Sequence, residues 1–368
     1  MRIGAICEPN AAANYRVRYP LLAMGWRGHE TLWPDDAGKA LPHELFGCDA
    51  VLIYRLASPE VRGLVAQLKR RGVAVVWDND DDFLNLPKNR RNRQTTGRSN
   101  AQIFAAMART AAMAHTFVTT TPQLAEVFRG AGAPPARIIE NYVLPVDRPR
   151  RSPEAMASGR MTVGWIAGME HRADATGLQL AATFRALQDR HPGLDVVTVG
   201  VELALTERYT HVPRSEFDAL PEIIAGFDLG IAPLLDTPFN RSRSNIKVKE
   251  YAASGVPWVA SPCGPYAELG EPHGGRLVPD DGWLDALSAL VDDLPTRRRL
   301  AQNATAWATT QTFDVVVDQY ETLFAQAVER ATGRPAQTLV MPRAPEAAPP
   351  PEKKGRPVAR LLTRSAAR

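Results

Sequence analysis

Phe227-Asp228-Leu229-Gly230-Ile231-Ala232-Pro233-Leu234, then Phe239-Asn240-Arg241-Ser242-Arg243-Ser244-Asn245-Ile246-Lys247-Val248-Lys249-Glu250-Tyr251, then Gly255-Val256-Pro257-Trp258-Val259-Ala260-Ser261, is the stretch that decides the fold. It reads as strand, polar loop, helix, tight turn and strand. Two strands joined through a helix lie parallel in one sheet. In an open parallel sheet, ligands sit beyond the carboxyl ends of the strands, where the polar loop falls.

The same alternation extends outward in both directions. Upstream in this half, Thr162–Ile166 and Leu194–Val199 read as strands and Ala173–Arg190 as one helix. Downstream, Arg297–Gln311 and Asp314–Ala331 read as long terminal helices. In the first half, Arg2–Cys7, Ala50–Tyr54, Val73–Trp77 and Thr116–Thr119 have the apolar runs of buried strands. Helical spacing runs through Tyr15–Gly25, Pro59–Arg71, Asn100–Ala114 and Pro122–Arg129. The predicted class is α/β, with two doubly wound, Rossmann-like domains at 1–145 and 161–332. A proline- and arginine-bearing linker at 146–160 separates them. Residues 333–368 hold seven prolines and few large apolar side chains, the composition of a disordered tail.

Charge is unevenly placed. The chain carries +4, but 333–368 alone contain eight Lys/Arg against two Glu, so the preceding 332 residues are slightly acidic. The three cysteines, Cys7, Cys48 and Cys263, match no metal spacing and suggest a reducing compartment. Met1–Ile6 is too short for a signal peptide, and no apolar run reaches the roughly 20 residues of a membrane helix. The expected location is cytoplasmic, with at most peripheral contact between the basic tail and an anionic membrane surface.

The helix opening at Ser244-Asn245-Ile246 offers free amides and a dipole suited to a phosphate. Arg243 and Lys247 add positive charge. Glu250, one turn after Lys247, suits a ribose diol. A solvated amphipathic helix with local Lys–Glu pairs fits the spacing equally well. The segment also resembles the donor-binding region of glycosyl transferases group 1, a large retaining family of GT-B fold. One branch has Phe-Asn-x-x-Lys-Ser-x-x-Lys-x-x-Glu-Tyr followed by Gly-x-Pro-x-x-x-Ser. Phe239, Asn240, Ser244, Lys247, Glu250, Tyr251, Gly255, Pro257 and Ser261 match it, with Arg243 for the first Lys. Gly164-Trp165-Ile166-Ala167-Gly168 with His171 and Asp174 is similar to the first strand and loop of the same domain. Asn141 with Val143 resembles the family's motif before the linker.

The resemblance implies phosphate contacts for the Ser244–Lys247 turn, ribose contact for Glu250 and retention at the anomeric carbon without a protein nucleophile. On that basis Lys247, Arg243 and His171 are the expected catalytic residues. Gly168, Ser244, Asn245, Ile246, Glu250 and Tyr251 are the expected donor contacts. The family's common form has a second Glu where Ser242 stands. It also has an Arg and a Lys on the first loop where His171 and Arg172 stand, which leaves Arg243 and Lys247 to meet the diphosphate.

Asp78-Asn79-Asp80-Asp81-Asp82 crowds carboxylates after a buried strand, which needs a reason. Three readings stand: acceptor or sugar contact through Asp80, Asp81 and Asp82, a capped solvated loop, or a divalent ion at Asp78-x-Asp80. No metal or other cofactor is expected, because the second half already supplies a donor site. Arg16, after the first strand, is an acceptor-side candidate. Lys88-Asn89-Arg90-Arg91-Asn92-Arg93 reads as a solvated loop. The expected activity is transfer of a sugar from a nucleotide diphosphate sugar to a glycan, lipid, protein or DNA-base hydroxyl. Two rival readings are a sugar-nucleotide epimerase on the same fold and a nucleic-acid-binding protein. For the latter, Lys353-Lys354-Gly355-Arg356-Pro357 resembles the core of minor-groove AT-hook segments.

Overall fold

The computed structural model describes residues 1–8, 10–32, 42–87, 97–144, 148–156, 160–213 and 215–334. The basic stretch 88–93 and nearly all of the proline-rich tail lie outside them. Residue contacts divide the chain into two compact units. Among the described residues, the first takes 1–144, the tetrapeptide 241–244 and 312–334; the second takes 148–240 and 245–311.

The first unit holds β1 (Arg2–Cys7), β2 (Glu30–Leu32), β3 (Ala50–Tyr54), β4 (Ala74–Asn79), β5 (Thr116–Thr119) and β6 (Arg137–Ile138) in the order β2-β1-β3-β4-β5-β6. Every pairing is parallel. Val51, Ile53, Val75, Trp77 and Phe117 pack against Val65, Leu68, Phe104, Leu124 and Phe128 of the intervening helices. Those helices start where their sequences cap them. Ser58 and Thr121 accept the amides of Val61 and Leu124, each followed by proline at the first helical position. Ser99 and Gln102 form a reciprocal capping box.

The second unit holds β7 (Met161–Ala167), β8 (Leu194–Gly200), β9 (Tyr209–Val212), β10 (Leu229–Ala232), β11 (Trp258–Ala260) and β12 (Gly275–Leu277), ordered β12-β11-β10-β7-β8-β9 and again all parallel. One face carries Val163, Trp165, Val196, Leu229 and Ile231 under helices Leu180–Arg190 and Trp283–Asp292. The other carries Val197, Val199, Ala232 and Trp258 under Leu220–Ala225 and Ile246–Ala253. Apolar cover on both faces makes this sheet doubly wound.

Three expectations about elements change. The helix predicted at 173–190 is two, Arg172–Gly177 and Leu180–Arg190, because Gln179 takes a left-handed conformation (φ 50°) between them. The terminal helix Phe313–Thr332 belongs to the first unit, not the second. It packs on β3, β4 and helix Tyr19–Trp26, with Phe313 edge-on to Tyr19 and Tyr142. The tetrapeptide 241–244 likewise clusters with the first unit.

Candidate functional site

The strand order of the second unit locates its crevice. From β7 the chain adds β8 and β9 on one side, then returns to place β10 on the other. Loops leaving β7 and β10 therefore diverge at their carboxyl ends, the position where such sheets take ligands. The loop after β7 brings Gly168 and His171; the loop after β10 leads into helix Ile246–Ala253.

Asp174 ties the two loops together. Its Oδ1 accepts the Leu235 amide at 3.0 Å and Asn240 Nδ2 at 2.8 Å, and its Oδ2 accepts His171 Nδ1 at 2.8 Å. On the far side of the ring, His171 Nε2 lies 3.0 Å from Lys247 Nζ. An ammonium only donates, so Nε2 is the acceptor and Nδ1 carries the proton. Both ring nitrogens of His171, expected among the catalytic residues, are thereby engaged with protein partners. Its place is behind Lys247. The ammonium also lies 5.9 Å from the centroid of the Trp165 ring, which is a cation–π contact.

Lys247 sits in the first turn of its helix, where amides have no partner within the helix. The Asn245 side chain makes no cap there. Ser261 Oγ accepts the Leu234 amide at 2.9 Å, so the last residue of the sequence motif braces the loop leaving β10. Glu250 is 8% exposed, and its Oε2 accepts Arg148 Nη2 at 2.6 Å. Arg148 escaped the sequence reading because the linker arginines carried no periodicity to place them.

Tyr251 is a correction. Expected at the donor, it is fully buried. Its hydroxyl donates to Ile231 O at 2.9 Å and accepts the Ile166 amide at 3.1 Å, bolting β10 to β7. Burial pushes the phenol far above its ordinary range, so it stays a neutral donor. Gly230 makes the room: an added Cβ would lie 2.7 Å from the Tyr251 ring. Arg243 and Ser244 fall in the tetrapeptide that clusters with the first unit, where Asn141 Nδ2 donates to Ser244 Oγ at 2.9 Å.

The expected acceptor residues of the first unit are largely interior. Arg16 is fully buried. It grips Asp78 through Nε (3.0 Å) and Nη2 (2.7 Å), and its Nη1 reaches Ile139 O and Asn141 Oδ1. Its side chain has no exposed surface to offer an acceptor, in contrast to its predicted role. Burial pushes Asp78 up to about 6 against the pull of Arg16. Asp80 accepts Tyr54 Oη at 2.6 Å and Arg55 Nε at 2.8 Å, while Arg55 also reaches Asp81. Burial raises the Asp80 carboxyl, but Arg55 and Tyr54 outweigh it and hold the group below its ordinary value. Asp82 caps a turn, accepting the Leu84 and Asn85 amides at 3.1 Å. The cluster is a cation-paired and capped network. Among the described residues no group of three His, Cys, Asp or Glu is placed to hold a metal.

Residues 160–293 match the family described as Glycosyl transferases group 1. The match is confined to the second sheet and the helices and loops around it. The matched span covers the whole of the β7–β10 crevice. Comparison with curated proteins by sequence gives no match. Among solved structures, sucrose-phosphate synthase from Thermosynechococcus elongatus is similar over 89% of this chain and 99% of its own, at 16% identity and TM-score 0.62. HepE from Anabaena, determined in complex with UDP-glucose, is similar over 88% and 99%, at 14% identity and TM-score 0.61. TarM of S. aureus is similar over 75% and 54%, at 12% identity and TM-score 0.56. At these identities the likeness establishes the fold, GT-B, which agrees with the two parallel sheets. The protein is a glycosyltransferase of that fold. No helix among the described residues is long and apolar enough to cross a membrane.

Proposed function

We propose that this glycosyltransferase takes a nucleoside diphosphate sugar at the β7–β10 crevice and passes the sugar to an acceptor hydroxyl. The observation that carries the reading is Lys247: a cation on the first turn of a helix at the switch point, held from behind by His171 and Asp174. An ammonium at the amino-terminal end of a helix suits a diphosphate, and it acts most strongly on the charge that grows as the diphosphate departs. Arg243, four residues earlier in the chain, is the second cation of this proposal. Glu250, one turn further along the helix, is the ribose contact. Retention at the anomeric carbon follows the family resemblance. With two cations and backbone amides for the diphosphate, turnover needs no divalent ion. HepE's structure with UDP-glucose makes UDP-sugars the first donors to try. The acceptor is a glycan, a lipid, a protein or a modified nucleobase. A cytoplasmic location with peripheral contact through the basic residues after 334 belongs to the same proposal, and cell fractionation with and without those residues reads it.

The test is Lys247→Ala in the full chain, assayed for transfer and hydrolysis of labelled UDP-sugars with and without chelator. Turnover should fall about 10²- to 10³-fold, the scale of losing one group that stabilises developing charge. Wild-type turnover should survive chelation. Near wild-type activity in Lys247→Ala would sink the assignment.

A further inference from the structure

Residues 148–156 form a strap across the end of the donor helix, and its attachments are built into the fold. The Arg151 amide donates to Ser254 O at 2.7 Å, and the Arg151 guanidinium pairs with the buried Asp228. Asp228 in turn accepts the Thr162 amide at 2.9 Å, at the start of β7. Further along, Arg298 donates to Pro153 O and Met156 O at 3.0 Å each, and the Met156 side chain is buried. Gly255 permits the close approach. Its φ is +69°, and an added Cβ would lie 2.5 Å from Arg151 O. The glycine of the family motif is therefore needed for the strap as well as for the turn that ends the helix.

Three residues before Arg151, the strap delivers Arg148 to Glu250. The two side chains are 8% and 10% exposed, and Nη2 meets Oε2 at 2.6 Å. We infer that Arg148 is a positioning residue for the donor: through Oε2 it fixes the Glu250 carboxylate in the pose that meets the ribose diol. The inference rests on the reading of Glu250 as the ribose contact. A carboxylate on a two-carbon stem has several rotamers, and all but one must be frozen out for it to meet a diol in register. A guanidinium carried on an anchored strap freezes them before the donor arrives. Discrimination between ribose and deoxyribose then depends on Arg148 although it need not touch the sugar.

The experiment is calorimetric titration of the full chain with UDP and with 2′-deoxy-UDP, using ADP, GDP and their deoxy forms in parallel. Wild type, Arg148→Ala, Arg148→Lys and Glu250→Gln are compared, with melting points recorded alongside. Wild type should prefer the ribonucleotide by about tenfold or more, the scale of one hydrogen bond to a carboxylate. Arg148→Ala should reduce that preference to about threefold or less with little effect on binding of the deoxynucleotide. Arg148→Lys keeps charge without the planar fork, should fall between the two, and serves if the alanine variant does not fold. An undiminished preference in the Arg148 variants, with preference lost in Glu250→Gln, overturns the inference and leaves the donor site standing. Tighter ribonucleotide binding in Arg148→Ala also overturns it, since the guanidinium would then be occupying the diol's place. Wild-type preference persisting in Glu250→Gln, or absent from the wild type, removes the ribose assignment itself.

Discussion

Replacing Tyr251 by phenylalanine separates the structural role of that residue from the donor contact its motif position suggested. The ring stays, so the packing against Phe227 and Gly230 is kept. The hydroxyl goes, and with it the partner of the Ile166 amide and a donor to Ile231 O. A buried amide left without a partner costs about 1–3 kcal/mol, and the lost donor to the carbonyl about 1 more. The sum is roughly 2–4 kcal/mol. For a unit of this size each kcal/mol moves the melting point by about 2–4 °C, so the second unit should melt roughly 4–16 °C lower. Scanning calorimetry reads the transition, and donor KM is measured at a temperature where both proteins are folded. KM should change less than about threefold, because no Tyr251 atom is left over for a ligand. An unchanged melting point with a KM raised tenfold would refute the reasoning and restore Tyr251 to the donor.

Two further outcomes test the first unit. Arg16→Met leaves Asp78 buried without its guanidinium and should destabilise by about 3–5 kcal/mol in urea unfolding, while a stable Arg16→Met protein impaired only toward acceptor would reinstate the acceptor role. The depressed Asp80 carboxyl contributes stability above its unfolded value near 4, lost as pH falls through its lower folded value. Asp78 works in the opposite sense between about 4 and 6, so the reading is the difference between wild type and Asp80→Asn. The variant should lose less stability than wild type below pH 4, and parallel pH profiles would contradict the pairing with Arg55.

Central strands were legible in the sequence and edge strands were not. β2, β6, β9 and β12, the four strands the apolar pattern missed, are the two edges of each sheet. Glu30-Thr31-Leu32 and Gly275-Arg276-Leu277 have one neighbour each and no need of a continuous apolar run. Candidate site residues could be grouped by spacing where they lie on one element, as Lys247 and Glu250 do. Their meaning was lost where the partner is distant in the chain. Arg16 pairs with a carboxylate 62 residues away and Arg148 with one 102 residues away, and nothing local records either. Motif matching preserved Tyr251 as a position but could not say that its hydroxyl serves two strands. The terminal helix had the right length and period, but periodicity does not say which core a helix completes.

That last point bears on how the chain is made. Because residues 312–334 finish the first unit, the second unit is in connectivity an insertion within it. The usual order of synthesis, in which the amino-terminal domain closes first, is reversed here. On the ribosome the inserted unit is complete in sequence once residue 311 has emerged, while the sheet begun at Arg2 still waits for Phe313 and Tyr320. Until then Tyr19 has lost a ring neighbour and β4 a covering helix. A nascent chain arrested between 311 and 332 should bind chaperone through its earliest residues, and expressing residues 1–145 alone should yield an open, aggregation-prone half.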